Sequence, residues 1–488
     1  LLAAAGRFSR CLRPGSMVES SSGGLMICFD SLPESLHDGR PISRRRGLLE
    51  IGGCSLLGLS WPELLAAEGS SPASDAAGFG QAKSCVLIFL WGGPSQQDTW
   101  DMKPDAPSSL RSEFQPIATR VPGINIGEHL PHMAGVTDML TIVRSMTHRD
   151  FEHGSAAYAA LTGHAHPLPG TNTPVRPDDF PTYGALVSRL GQNPNPVPDS
   201  VVLGPVMHQG NRPPIAGQNA GFLGLNYEPF RIAADPGAAG FRVDSLTSPA
   251  ELPTDRLRRR HQLLQSFDRG QHPVEPVRQV TGVDNLYQRA FGLLGSARTR
   301  AAFQIDTESD SLRDRYGRHR FGQTLLLTRR LVEVGVPLIT VNWAKQNRDQ
   351  WDTHAKNYPR LKDTLLPPFD RGLSTFLSDL KNRGLLDSTL VVCVGEFGRT
   401  PWINKDAGRD HWPDCYSVVT AGGGMKPGTV FGASSRHASY PVLYPVGPWD
   451  LGATMFHCLG IRPDQHIQNR RGQPIPLSPG SVIDGLLA

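Results

Sequence analysis

The stretch LVVCVGEF, residues 390–397, decides the fold class of this chain. Its first five residues form a continuous apolar run, which is typical of a strand buried on both faces of a parallel sheet. Residues 360–382 carry apolar side chains at helical spacing and predict an amphipathic helix that packs on this sheet. Glu396 follows the strand directly, at the end where open α/β sheets place their functional sites.

The same alternation of strand, polar loop and helix recurs through most of the chain. Apolar runs predict strands at 84–91, 140–143, 200–203, 337–341, 389–394 and 418–419. Apolar residues at helical spacing predict helices at 133–140, 155–161, 183–190, 254–269, 283–303, 309–315, 321–334, 360–382 and 449–459. This pattern predicts an α/β fold with a central, mostly parallel sheet between helices. No linker interrupts residues 81–488, so we expect a single domain there.

The N-terminal region differs in composition from the rest of the chain. Residues 43–80 contain Arg44-Arg45-Arg46, a weakly apolar stretch and then small residues, in the order of a twin-arginine export signal followed by a linker. The alternative is an amphipathic or disordered leader. Residues 1–42 form an N-terminal extension without assigned role. We expect the twin-arginine export machinery to deliver the protein to the periplasm or the extracellular space.

Composition excludes several functional classes. The 488 residues carry a net charge of +4 and only short basic runs, so no nucleic-acid partner is expected. No apolar stretch approaches the roughly 20 residues that a membrane-spanning helix requires. The seven cysteines include no C-x-x-C pair, so neither a zinc ribbon nor a disulfide scaffold is indicated.

Carboxylates and imidazoles follow the predicted strands at several points. They are Asp98, His153, Asp352, His354, Glu396 and His411. Such a mixture of ligands suits a divalent metal ion such as zinc, manganese or iron. Asp352 and His354 are two residues apart, so in an extended segment both side chains point to the same side and can share one ion.

Four motifs extend this interpretation to the level of a family. GGPSQQDTWD (92–101), WDTH (351–354), GEFGRTP (395–401) and RDHW (409–412) resemble the uncharacterised bacterial family called domain of unknown function 1501. The resemblance covers about residues 43–475. That family looks like part of the alkaline phosphatase and sulfatase superfamily, which implies an alkaline-phosphatase-like fold.

The resemblance also implies roles for single residues. Asp98, Asp352, His354, Glu396 and His411 match metal ligands of the superfamily, whereas Phe397 stands where the superfamily has a further histidine. The position of the nucleophile matches His153, or Ser155 after a shift of two residues. The absence of a C-x-P-S-R sequence excludes a formylglycine sulfatase.

The function that this resemblance implies is metal-dependent hydrolysis of phosphate or sulfate esters by an exported protein. Because Phe397 removes one ligand, we expect one divalent ion, held by Asp352, His354 and Glu396, with Asp98 as a further candidate ligand. His153 and His411 would share the roles of ligand and acid–base group. The substrate would be an ester of a small molecule or of a polysaccharide. The alternative is a non-catalytic exported protein with a binding or surface-associated role on the same fold.

Overall fold

The computed structural model describes residues 76–243, 259, 296–343 and 350–488, apart from residues 173, 192, 194 and 196. The expected export signal and most of the helices expected between 254 and 303 lie outside these residues. The described residues belong to one compact unit, Pro72–Ala488.

The strands of this unit range from two to seven residues. They are β1 (Ser84–Leu90), β2 (Pro116–Ala118), β3 (Asn125–Gly127), β4 (Leu140–Met146), β5 (Ser200–Leu203), β6 (Phe230–Ile232), β7 (Leu338–Trp343), β8 (Thr389–Val394), β9 (Gly398–Arg399), β10 (His411–Trp412), β11 (Tyr416–Ala421), β12 (Thr429–Phe431), β13 (Ala433–Ser434), β14 (Pro441–Leu443), β15 (His466–Gln468) and β16 (Pro474–Pro476).

The α-helices lie between these strands along the chain. They are α1 (Pro131–Ala134), α2 (His153–Thr162), α3 (Tyr183–Leu190), α4 (Ala297–Ala302), α5 (Asp310–Tyr316), α6 (Arg320–Glu333), α7 (Asn357–Arg360), α8 (Leu366–Asn382) and α9 (Pro448–Cys458). A π-helical turn, Leu361–Leu365, joins α7 to α8.

An eight-stranded sheet forms the centre of the fold, in the order β12-β4-β11-β8-β1-β7-β5-β6. Strand β11 pairs antiparallel with both of its neighbours, and every other pairing in the sheet is parallel. The predicted α/β class with a mostly parallel sheet is therefore confirmed.

Strand β1 shows why its sequence is apolar throughout. Val86, Ile88 and Leu90 belong to one buried cluster, whereas Cys85 and Leu87 belong to another. Side chains alternate between the two faces of a strand, so both faces of the sheet are covered. Each such buried aliphatic side chain contributes roughly 1.5–3 kcal/mol to folding.

Helix α8 packs its predicted apolar stripe against the first of these clusters. Phe369, Leu373, Phe376, Leu377 and Leu380 are all buried there. Gly384 follows the helix with a φ of 67°, in the left-handed region that commonly ends helices. None of the helices in the described part of the chain has the length and apolar character needed to cross a membrane.

Several short elements differ from the expectation. The helix expected at 133–140 is the single turn α1 followed by a 3₁₀ turn, Thr137–Met139. The strand expected at 418–419 extends over all of β11. The two-residue strands β9 and β10 form a separate antiparallel ribbon, in which His411 lies opposite Arg399. This ribbon matters most for function because it carries His411 to the segments that follow β7 and β8.

Candidate metal centre

Among the described residues, one group of side chains could hold a metal ion: His153, Asp352, His354 and His411. One ligand atom from each lies within 4.8 Å of the others. The Nε2 atoms of His354 and His411 are 2.9 Å apart. The Asp352 carboxylate lies 3.2 Å from Nε2 of His354, 3.5 Å from Nε2 of His411 and 3.4 Å from Nε2 of His153. We call these four residues the cluster.

Each imidazole of the cluster forms a hydrogen bond through Nδ1, on the side of the ring away from the other cluster residues. The contacts are His153 to Glu396 Oε1 at 2.6 Å, His354 to Asp410 Oδ1 at 2.7 Å, and His411 to the carbonyl oxygen of Phe151 at 2.6 Å. An oxygen acceptor at Nδ1 requires the proton there, so the neutral ring directs the lone pair of Nε2 toward the cluster. Histidine ligands of metals are commonly oriented in this way.

Neighbouring charges set the protonation of the cluster. Burial would raise the pKa of Asp352, but Arg399, whose guanidinium lies 2.8 Å from Oδ1, and His153 hold that pKa well below its usual range. Burial opposes a charge on His153, yet the carboxylates of Asp352 and Glu396 outweigh it and raise the pKa of His153 to about 9. Burial lowers the pKa of His411. The cluster thus provides strong attraction for one positive charge.

Gly92 permits the close approach that joins these segments. Its amide donates to Glu396 Oε1 at 2.8 Å and to Oε2 at 3.1 Å. Its φ of 110° suits glycine, and a Cβ there would lie 2.2 Å from the amide nitrogen of Asp352. Any larger residue at position 92 would therefore push apart the segments that carry Asp352 and Glu396.

The loop before His411 locks the position of His354. The Asn404 amide donates to the carbonyl oxygen of His354 and to Asp410 Oδ1, both at 2.9 Å. Gly408 packs so closely that a Cβ would lie 1.9 Å from the carbonyl oxygen of His354. Lys356, directly after this segment, has a φ of 52°. Such strained backbone is common at functional sites.

Apolar rings enclose two of the imidazoles. Phe397 is fully buried, with its ring centroid 5.0 Å from that of His153 and 4.4 Å from that of His411. Trp91 covers His153 at a centroid distance of 5.1 Å. At the position where the resemblance expects a further histidine, the chain therefore has an apolar ring that packs against two imidazoles.

Asp98 lies outside the cluster, in contrast to the expectation that it helps to bind the ion. Its carboxylate pairs with Arg409 through Nε at 2.9 Å and a terminal nitrogen at 3.0 Å. It also accepts from Ser95 at 2.6 Å and from Asn357 at 2.9 Å. The side chains of Asp98 and Arg409 are both fully buried. A carboxylate that its own chain has neutralised and saturated with donors is a poor ligand for a metal.

Glu396 and Ser155 also occupy positions other than those expected. Glu396 contacts Nδ1 of the His153 imidazole, on the side away from the cluster, so it orients a member of the cluster and is not one of the four. Ser155 lies two residues beyond His153 on α2, about 200° around the helix axis. Its hydroxyl is buried and has no hydrogen-bond partner in the protein.

Sequence reasoning missed three supporting groups: Arg399, Asp410 and the carbonyl of Phe151. Asp410 directly precedes His411, and Arg399 lies in the motif that contains Glu396, so charges flanking the expected ligands were the available signal. The carbonyl of Phe151 gave no signal, because a backbone group leaves no mark in a sequence.

Comparison with known families gives one match over most of the chain. Residues 82–487 match the family described as a protein of unknown function, DUF1501. The chain belongs to the DUF1501 family. No curated protein sequence matches this DUF1501 protein.

The fold can also be compared with solved structures. A sulfatase from Pseudoalteromonas sp. is 14% identical, with 84% of this chain and 72% of that chain covered and a TM-score of 0.39. A protein in the alkaline phosphatase superfamily from Vibrio parahaemolyticus is 10% identical, with coverages of 79% and 68% and a TM-score of 0.35. A phosphonate monoester hydrolase from Silicibacter pomeroyi is 14% identical, with coverages of 83% and 76% and a TM-score of 0.33.

Proposed function

We propose that this DUF1501 protein is a metal-dependent hydrolase of phosphate or sulfate esters that uses one divalent ion. The observation that supports this proposal best is the shared direction of three imidazoles. Each has an oxygen acceptor at Nδ1, and each presents Nε2 to the carboxylate of Asp352. Three imidazole Nε2 atoms and a carboxylate that converge on one point offer four ligand atoms to a cation, which would take the place of the proton that the raised pKa of His153 otherwise keeps there.

The donor set fits the proposed ion. Imidazole nitrogens and a carboxylate oxygen suit zinc, and also manganese or iron. His153, Asp352, His354 and His411 would hold the ion, and Glu396, Asp410 and the Phe151 carbonyl would hold the imidazoles. When bound, such an ion acts as a Lewis acid toward an ester oxygen. Phe397 blocks one side of the cluster, which favours a single ion over a pair.

The start of α2 favours an anionic substrate. The helix begins at His153, a member of the cluster, and it has no side-chain N-cap. The positive end of the helix dipole therefore lies at the cluster, and such helix ends attract phosphate and sulfate groups.

Neither proposed side-chain nucleophile is well placed for attack. Nδ1 of His153 contacts Glu396 and its Nε2 belongs to the cluster, so we assign this residue as a ligand. Ser155 lies on a different side of α2 and its hydroxyl is buried. We therefore assign the attack on the ester to a water molecule, with the chain orienting the ester.

Elemental analysis of the folded protein, followed by assays with nitrophenyl phosphate and nitrophenyl sulfate, tests the proposal. We expect one ion per chain, hydrolysis of at least one ester, and loss of both after chelation with recovery on adding metal. His411→Ala should lose the ion, whereas His466→Ala, which removes an exposed imidazole outside the cluster, should keep it.

The outcomes separate the competing interpretations. Two ions per chain, or none in metal-replete protein, would contradict the single-ion site. One ion without hydrolysis of either ester would contradict the hydrolase and favour the non-catalytic binding protein. Retention of the ion by folded His411→Ala would contradict the assignment of the cluster.

We also propose that the protein reaches the periplasm or the cell exterior through the twin-arginine pathway. The order of Arg44-Arg45-Arg46, a weakly apolar stretch and small residues supports this. Lysine at these three positions should leave the protein in the cytoplasm. Lysine at Arg258, Arg259 and Arg260 is the matched control and should not change export. Equal export of both variants would contradict the proposal.

A further inference from the structure

The side chain of Phe151 lies at the surface, although its backbone belongs to the candidate metal centre. Its carbonyl oxygen contacts Nδ1 of His411 at 2.6 Å, and yet 62% of the residue is exposed. Phe151 belongs to neither of the two buried apolar clusters in the described part of the chain. Single exposed apolar residues are common on protein surfaces, so it is the position of Phe151, and not its exposure, that calls for an explanation.

The geometry of the chain keeps the Phe151 side chain close to the cluster. Only three bonds separate a carbonyl oxygen from the Cβ of its own residue, so the Cβ of Phe151 lies within roughly 7 Å of Nδ1 of His411. Glu152 has an extended backbone, with a φ of −95° and a ψ of 129°. Side chains on either side of an extended residue point in the same direction, so Phe151 points to the side on which His153 presents its Nε2 to the cluster.

The cluster is closed on one side and open on another. Phe397 is buried and packs against His153, whereas the side chain of His354 is 45% exposed. A substrate therefore reaches the cluster past His354 and His411, whose ring centroids are 4.6 Å apart. Phe151 flanks this opening on the side of His411, the imidazole that its carbonyl oxygen contacts.

Asp410 flanks the same opening on the side of His354. Its Oδ1 atom contacts Nδ1 of His354 at 2.7 Å and accepts from the Asn404 amide at 2.9 Å. Its Oδ2 atom takes no hydrogen bond from the described part of the chain, and the side chain is 46% exposed. This oxygen can therefore accept a hydrogen bond from a hydroxyl group of a ligand.

We propose that Phe151 is a specificity-determining residue of the ester site and that the alcohol part of the ester is a sugar ring. This inference rests on the proposed ester hydrolysis at the cluster and adds the class of substrate. A pyranose has an apolar face of C–H groups, which packs on the exposed ring of Phe151, and hydroxyl groups, one of which donates to Asp410 Oδ2. Ligand sites commonly combine aromatic surface with a few placed polar groups. An aryl ester would pack on Phe151 but leave the carboxylate without a donor.

Binding of matched esters to the metal-loaded full chain tests the inference. Glucose 6-phosphate contains the ring, whereas sorbitol 6-phosphate carries the same anion and the same number of carbon atoms in an open chain; the 6-sulfates form a second pair. We expect the glucose ester to bind about tenfold more tightly, because packing on one face of a phenyl ring removes roughly 60 Å² of apolar surface from water. Titration calorimetry measures the dissociation constants, and initial rates give kcat/KM where an ester is hydrolysed.

Substitutions of Phe151 leave its backbone carbonyl in place, so the variants should keep the metal ion. Phe151→Ala should abolish the preference for the ring, so that the glucose ester binds no more tightly than the sorbitol ester. Phe151→Tyr keeps an aromatic face and should keep the preference. Leu225→Ala is the matched control, because Leu225 is 72% exposed in a 3₁₀ turn outside the cluster; it should change neither the metal content nor the preference.

Three results would overturn the inference. The first is equal affinity for the two esters, or binding of neither, in the unaltered protein. The second is a preference for the ring that survives Phe151→Ala. The third is tighter binding of phenyl phosphate than of glucose 6-phosphate, which would replace the sugar with an aryl group. Metal content and hydrolysis are measured separately, so a protein that binds the ion and prefers the ring without hydrolysing the ester would contradict the hydrolase and not this inference.

Discussion

Two polar groups of this protein look alike in sequence and differ in structure: Asp98 with its partners, and the cluster around Asp352. Asp98 receives four donors from Arg409, Ser95 and Asn357. In the cluster, Arg399 donates to Asp352, and the Nε2 atoms of three imidazoles face the same carboxylate. The first group is saturated with donors from the chain itself, whereas the second contains three imidazoles that can exchange a proton for a metal ion.

This difference distinguishes a structural carboxylate from one that can bind a metal ion. Both follow strands of one sheet, and both are near an arginine. What separates them is the kind of partner: Asp98 is bound by groups that only donate, such as a guanidinium, whereas Asp352 faces imidazoles, which can release a proton and bind a metal ion. Four substitutions test this distinction.

The largest effect on stability should come from Asp98→Ala. It leaves the guanidinium of Arg409 fully buried without its carboxylate, which costs about 3–5 kcal/mol. Denaturant unfolding should show this loss, and the fraction that remains folded should keep its metal ion. A loss of the ion with little loss of stability would mean that Asp98 is a ligand after all.

Removal of a proposed ligand should lower the affinity for the metal and leave the stability of the metal-free protein nearly unchanged, the reverse of the result expected for Asp98→Ala. His354→Ala deletes one of the four proposed ligands from a half-exposed position, so the affinity for the ion should fall at least about 100-fold, beyond the range seen for supporting residues. The metal-free protein should be as stable as the unaltered metal-free protein, within about 0.5 kcal/mol. Competition with a chelator of known affinity measures the first quantity, and denaturant unfolding of the metal-free forms measures the second.

The loss of metal affinity in Glu396→Gln should lie between the losses in Asp98→Ala and His354→Ala. The amide oxygen can still accept from the amide of Gly92, but the negative charge behind His153 is lost, so metal affinity should fall about tenfold. The number of ions per chain should stay at one. Complete loss of the ion under metal-replete conditions would restore the earlier expectation that Glu396 binds the metal directly.

The smallest effect should come from Ser155→Ala. The hydroxyl has no partner in the protein, so its removal should change the free energy of unfolding by less than about 0.5 kcal/mol and leave metal content unchanged. Ester hydrolysis should persist. If hydrolysis disappears while the ion stays, the serine and not water attacks the ester.

The sequence predicted those parts of the fold whose signal is local. Strands β1 and β8 and helix α8 were predicted because long apolar runs and a full helical stripe are readable within one segment. The ribbon of β9 and β10 was not predicted, because two residues per strand carry no periodicity and their pairing joins distant positions.

The same limit applies to the site. The rule that polar residues collect at strand ends led to His153, Asp352, His354 and His411, but it also led to Asp98. The residue that separates Asp98 from the others is Arg409, which lies 311 positions away. Likewise, Glu396 contacts Nδ1 of His153, whereas the other cluster residues face Nε2 on the opposite side of that ring. Both roles depend on contacts between residues that are far apart in the chain, and a single sequence does not show such contacts.

The contacts behind the imidazoles span much of the chain, which has a consequence for folding. Glu396 reaches His153 across 243 positions, and the carbonyl of Phe151 reaches His411 across 260. Closing such long loops costs conformational entropy, and every closure must be complete before all four ligand atoms face each other. A bound ion would then act as a reversible cross-link between three distant segments, one that forms late in folding and breaks as soon as any of these segments detaches.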